Sequence, residues 1–102
     1  MTDSELLLGA AKAIGYRQIF GEDKLVVMIE HPDGHLWDPI NSDRDAFGLM
    51  INLRIDLSFI EDWWVRGRGP GREWLGHKYT VGSDLGSIIR RVIVRCAGDL
   101  VG

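Results

Sequence analysis

Cysteine is almost missing from this chain of 102 residues: Cys96 stands alone, so no intramolecular disulfide can form. A small fold without such staples fits a reducing cytoplasm, or any compartment where none is needed. Long apolar runs are missing too. None approaches the roughly 20 residues of a membrane-spanning helix. No basic segment followed by an apolar one marks a secretion signal, so a cytoplasmic chain that does not enter a membrane is expected. Positive charge is in short supply, with 12 Lys and Arg against 15 Asp and Glu and a net charge of −3. A dedicated nucleic-acid binder normally carries the opposite balance. Catalytic signatures are missing as well. There is no Gly-x-Ser-x-Gly elbow, no Gly-Lys-Ser/Thr phosphate loop, and no motif that would make Cys96 a nucleophile. Cys96 falls among Ile and Val at helical spacing and reads as a small buried hydrophobe. Neither an enzyme nor a cofactor is expected.

What is present is an ordinary globular composition, 45% apolar and 26% charged, which points to one domain over residues 1–102. Thr2 and Glu5 form a capping box for a helix over residues 3–14, with Leu7, Ala10, Ala11 and Ile14 on one face and Gly15 as terminator. Residues 17–20 form a short strand. The β-branched run 24–30 is a strand covered on both faces. His31-Pro32-Asp33-Gly34-His35 is turn chemistry, and Leu36 and Trp37 form the return strand.

Trp37-Asp38-Pro39-Ile40-Asn41-Ser42-Asp43-Arg44-Asp45 compresses strand end, turn and helix cap into one segment. Pro39 keeps Asp38 out of the helical region. The Ser42 hydroxyl takes an amide of the first turn, and the Asp45 carboxylate is expected to reach back to the cap. Ala46, Leu49, Met50 and Leu53 then mark the buried face of a second helix.

Residues 55–66 alternate as one half-buried strand: Leu57, Phe59, Trp63 and Val65 on one side, Ser58, Asp62, Trp64 and Arg66 on the other, with Ile60 among them. Residues 67–71 form a loop, and residues 73–81 a return strand weakened by Gly76. Ser83 caps a last helix whose buried face is Leu85, Ile88, Ile89, Val92 and Cys96, with Arg90, Arg91 and Arg95 largely opposite. The order α-β-β-α-β-β-α predicts an α+β domain: a small antiparallel sheet of two hairpins covered by three helices.

Two groups of residues carry candidate chemistry. Arg66, Arg68 and Arg72 surround a glycine-rich loop that would be exposed and cationic, fit for phosphate, RNA or an acidic protein surface. Trp63 and Trp64 are adjacent on a strand, so they face opposite sides and one of them is free to face a partner. With Trp74 across the hairpin they form an aromatic patch beside the arginines, the composition of binding hot spots. The histidines are a weaker group. His31 and His35 flank the Asp33-Gly34 turn and, with Asp33 or Asp38, supply zinc-type donors, but the spacing matches no metal motif. The adopted reading is a solvated turn with no metal.

The Leu6 to Gly15 helix, the Trp37-Asp38-Pro39 turn with the Asp43-Arg44-Asp45-Ala46 helix start, and the closing Arg90-Arg91-Val92-Ile93-Val94-Arg95-Cys96-Ala97 helix together resemble a group of small tailed-phage and prophage proteins of unknown function, loosely NinX-like. The three segments occur along the chain in matching order and spacing. The chain departs from the pattern at Arg44, where Gly is usual, and in its tryptophan-rich middle. The resemblance implies an accessory role inside a bacterial host and no established activity. The resulting expectation is a non-enzymatic module that binds a host or phage protein through Trp63, Trp64, Arg66, Arg68, Arg72 and Trp74, or associates with itself through that surface. Nucleic-acid binding by the same residues ranks below it.

Overall fold

Three capped helices punctuate the described residues. In the computed structural model, which describes residues 2–20, 26–60, 64–80 and 82–101, α1 spans Asp3–Ile14. Thr2 Oγ1 accepts the Glu5 amide at 3.2 Å and the Glu5 carboxylate accepts the Thr2 amide, which completes the expected capping box. Gly15 closes the helix at φ 80°, a left-handed conformation that costs glycine little. β1 (Arg17–Phe20) and β2 (Val26–Glu30) form an antiparallel pair. α2 (Asp43–Leu53) starts at Ser42, whose Oγ accepts the Asp45 amide at 3.3 Å. β3 (Asp56–Ile60), β4 (Trp64–Arg68) and β5 (Leu75–Lys78) make a second antiparallel sheet in the order β3-β4-β5. α3 (Leu85–Asp99) follows.

The α+β class and the antiparallel hairpins between helices are as expected. Several details differ. The single strand expected over residues 55–66 is instead β3 and β4, two strands paired antiparallel, because period-two alternation reads the same along one long strand as along two short ones; residues 61–63 lie outside the described residues. The return strand at Leu36 and Trp37 reduces to one bridge, Glu30 to Leu36, with the Trp37 amide donating to the Ile29 carbonyl at 2.8 Å. Asp84 rather than Ser83 caps α3, and the Ser83 hydroxyl instead accepts the Thr80 amide. Lys24, Leu25 and Val81, assigned to strands from sequence, lie outside the described residues.

The core is assembled around α3. Val92, Ile93, Val94, Cys96 and Ala97 are all buried, which covers more than one face of the helix. Leu6, Ala10 and Ala11 of α1, Ala46 and Leu49 of α2 and Val65 of β4 join them in one cluster. Ile89, expected within this core, is half-buried at its margin. Arg90 and Arg91 do more than face solvent. Arg90 Nε donates to the Ile40 carbonyl at 2.8 Å and its Nη1 to Asp43 at 2.6 Å, tying α3 to the start of α2. Arg91 makes a bidentate pair with Asp3 at 2.7 and 3.1 Å, tying α3 to the start of α1.

Glycine sets how near the neighbours come. A Cβ on Gly9 of α1 would lie 3.3 Å from the Gly98 Cα of α3. One on Gly67 would lie 3.0 Å from both Cys96 Sγ and Val92 Cγ1, and one on Gly69 only 2.6 Å from Leu100 Cδ2. The expected loop at residues 67–71 is therefore corrected. Gly67 and Arg68 belong to β4, and the first two glycines are buried contacts with α3.

Two glycine substitutions should move stability in opposite directions in urea unfolding. Gly67→Ala should destabilise by about 1–3 kcal/mol through overpacking. Gly48→Ala, in mid-α2 with nothing within 4 Å of the added carbon, should stabilise by roughly 0.5–1 kcal/mol through helix propensity. The hydrogen bonds from Arg91 hold the Asp3 carboxyl below its ordinary value. A depressed folded-state value gives stability that is full above about pH 4 and is lost as pH falls through the lowered value. Thermal melts of wild type and Asp3→Asn should therefore converge on acidification below pH 4, with the wild type higher at neutral pH.

Candidate functional site

Alternate residues of a strand share a face, and Val65 and Gly67 of β4 point into α3. Trp64, Arg66 and Arg68 must then point away from it. The register sets Ile60, Ser58 and Asp56 of β3 on one side of that row, and Lys78 and Gly76 of β5 on the other. Trp64 is 40% exposed, and its ring lies over Gly76, where a Cβ would sit 3.3 Å from Cζ3. Trp74, just before β5, is half-buried because both arginines lie on it. The Arg66 guanidinium is 4.2 Å and the Arg68 guanidinium 4.4 Å from its ring centroid. Arg68 also faces Asp56 at 3.6 Å, an exposed pair worth little. Arg66 has no anionic partner among the described residues, and its Nε is buried without a hydrogen bond.

Four of the six residues singled out from sequence thus meet on one surface: Trp64, Arg66, Arg68 and Trp74. Arg72 does not join them. Its Nη2 donates to the Leu100 carbonyl at 3.2 Å and fastens the β4–β5 connection to the end of α3. Trp63 lies outside the described residues. Of the two adjacent tryptophans, Trp64 is described, and it stands outside the core.

A second cluster gathers at residues 31–45. The turn closes through the Gly34 amide on the His31 carbonyl at 2.8 Å and the His31 amide on the His35 carbonyl at 3.0 Å. This stacks the two imidazoles at 4.5 Å with an interplanar angle of 18°. Tyr16 packs edge-on against His31 at 5.1 Å and against the buried Trp37 at 5.0 Å, so the His31 ring is braced from both sides. Asp33 Oδ1 contacts His35 Nδ1, accepts the His35 amide at 3.0 Å, and lies 3.0 Å from His31 Nδ1. The hydrogen bond donated by the His35 amide, helped by the neighbouring imidazoles, holds the Asp33 carboxyl at about 2.

Asp45, only 7% exposed, is the participant that sequence reasoning assigned elsewhere. Its carboxylate does not return to the helix cap. One oxygen accepts the Asp38 amide at 2.9 Å and the other faces His35 Nε2 at 3.1 Å. The diversion follows from the Pro39 turn, which aims the Asp38 amide back at α2. A cavity of about 200 Å³ beside the cluster is lined by Tyr16, His31, Trp37, Arg44, Asp45 and Asn52 among others.

The chain matches no protein-family model, no curated protein and no solved structure. No described helix is long and apolar enough to cross a membrane.

Cys96 is 1% exposed, and burial pushes its thiol up to about 11. Iodoacetamide should leave Cys96 unmodified in the native protein at neutral pH and label it on unfolding, as read by intact-mass spectrometry.

Proposed function

We propose that this chain is a non-enzymatic binding protein whose contact surface is the outer face of the three-stranded sheet, and whose partner is an acidic segment of another protein. The reading rests on Arg66, a half-buried cation stacked on Trp74 with no carboxylate against it among the described residues. A carboxylate brought by a partner would make charge-assisted hydrogen bonds in a partly dry setting, where they count for most. Arg68 and Lys78 extend the positive surface, and Trp64 adds exposed aromatic area beside them. Tryptophan and arginine are the residue types on which binding energy concentrates.

Two observations weigh for protein over nucleic acid. Guanidinium groups already occupy the Trp74 ring, which leaves less of it for a base to stack on. The net charge of −3 opposes a long, densely charged polyanion more than a short acidic segment that reaches only the arginines. The resemblance to phage and prophage proteins supplies the setting of this proposal: a host or phage protein as partner, in the cytoplasm of a bacterial host.

Fluorescence anisotropy with a labelled oligoglutamate peptide and a labelled oligothymidine separates the two chemistries. The peptide should bind. Arg68→Glu combined with Trp74→Ala should weaken it at least tenfold, about 1.4 kcal/mol. Arg72→Glu should leave it unchanged. Binding of oligothymidine alone, lost steeply with added salt, would move nucleic acid to first place. Sedimentation velocity reads the remaining case, a second copy of the chain on the same face.

A further inference from the structure

We propose that His31, Asp33 and His35 bind a divalent transition-metal ion of the zinc class, with Asp45 orienting His35 from behind. This site is independent of the sheet face. The first support is convergence. One donor atom from each of the three side chains lies within 4.8 Å of the other two. Ligands of a tetrahedral zinc ion with bonds of about 2.0–2.1 Å stand about 3.3 Å apart. The His31 Nδ1 to Asp33 Oδ1 separation of 3.0 Å is near that spacing, while His35 Nδ1, in contact with the same oxygen, would move outward to admit the ion.

The second support is an account of hydrogens and lone pairs. His35 Nε2 faces a carboxylate oxygen of Asp45, so that nitrogen carries the hydrogen. A neutral His35 then presents the lone pair of Nδ1, and what it meets is Asp33 Oδ1, another acceptor. His31 Nδ1 accepts the Asp33 amide at 3.1 Å, so it too carries a lone pair and no hydrogen beside that oxygen, and an ion would take the lone pair over from the amide. Three acceptors converge where a cation is wanted. Among the described residues, the cation at hand is Arg44. Its Nη2 is 3.2 Å from Asp33 Oδ2 and 3.4 Å from His35 Nδ1, on a side chain that is 74% exposed and free to leave.

The surroundings are those of a built site. Metal-bound histidines commonly give their second ring hydrogen to a carboxylate, which fixes tautomer and ring orientation. Asp45 is placed to do this, and is itself buried and held by the Asp38 amide. Stacking, with Tyr16 edge-on to His31, already holds the two imidazoles side by side. Two imidazoles and one carboxylate suit Zn²⁺, Co²⁺, Ni²⁺ or Cu²⁺ and discriminate against Mg²⁺ and Ca²⁺. Three protein donors leave a fourth position for water or an incoming ligand.

Titration calorimetry of the full chain with Zn²⁺, and visible absorption with Co²⁺, test the proposal at neutral pH without chelator. One ion should bind per chain, with tetrahedral Co²⁺ bands, and neither Mg²⁺ nor Ca²⁺ should compete. His31→Ala and His35→Ala should each abolish the bands while circular dichroism shows the fold retained. Asp45→Asn should weaken affinity about 10–100-fold without changing the band pattern, the mark of a positioning residue. Arg44→Ala should tighten binding by removing the competing cation. Should His31→Ala or His35→Ala fail to fold, Asp33→Asn and Arg44→Ala carry the test, the first weakening and the second tightening binding. Absence of saturable binding in both wild type and Arg44→Ala would overturn the proposal, as would binding indifferent to the turn variants. So would a His35 ring shown by ¹⁵N shifts to be doubly protonated with no metal uptake, since a proton would then fill the gap.

Discussion

The close approach of neighbouring backbones to α3 is the constraint on which the rest of the structure depends. A 102-residue chain has limited apolar surface to bury, and this one concentrates it around a single helix. Gly9 and Gly98 let α1 and α3 come together, with Ala10, Ala11 and Ala97 fully buried near the crossing. Gly67 lets β4 lie against Cys96 and Val92 of the same helix, and Gly69, just past β4, lets the chain lie against Leu100 at its end. Arg90 and Arg91 then fix the rotation of α3 through partners at the starts of α2 and α1. Because β4 gives its small side to α3, its large residues, Trp64, Arg66 and Arg68, are all displaced to the outside. The surface chemistry is a by-product of the core geometry.

The two clusters have opposite deficits. On the sheet face, two cations are stacked on Trp74, and Arg66 has no anion against it among the described residues. At the turn of residues 31–35, acceptor atoms converge, and among the described residues the cation beside them is the exposed Arg44. In each place the protein holds one half of an interaction in a defined geometry, and a group left so is a more specific pointer than charge or exposure alone.

Sequence patterns were informative where the physics is local. The Thr2–Glu5 capping box, Gly15, the Ser42 cap and the apolar face of α2 all appear where three- and four-residue periodicities place them. They failed where the deciding contact is remote. Nothing near Gly67 says that Val92 and Cys96 lie above it, so it read as a loop residue. Arg72 looked equivalent to Arg68 until the Leu100 carbonyl, 28 positions away, claimed it. Asp45 looked like a helix-start acid, and its pairing with His35 depends on the path of the intervening Pro39 turn. The His31-Pro32-Asp33-Gly34-His35 string was visible as a turn, but ring stacking and the shared Asp33 oxygen are properties of its closure.

The glycines of the three-stranded sheet also decide which strand alignments are available to the folding chain. A slip of one residue between β4 and its neighbours would turn every side chain to the opposite face. Arg66 or Arg68 would then have to enter the space where Gly67 meets Cys96 and Val92, and Trp64 would lose the bare backbone of Gly76 over which its ring lies. Neither alternative has room for the larger group or a counter-charge for the buried one. The same absences of side chain that permit close packing therefore act as a proofreading device, leaving one alignment of the sheet that satisfies both of its faces.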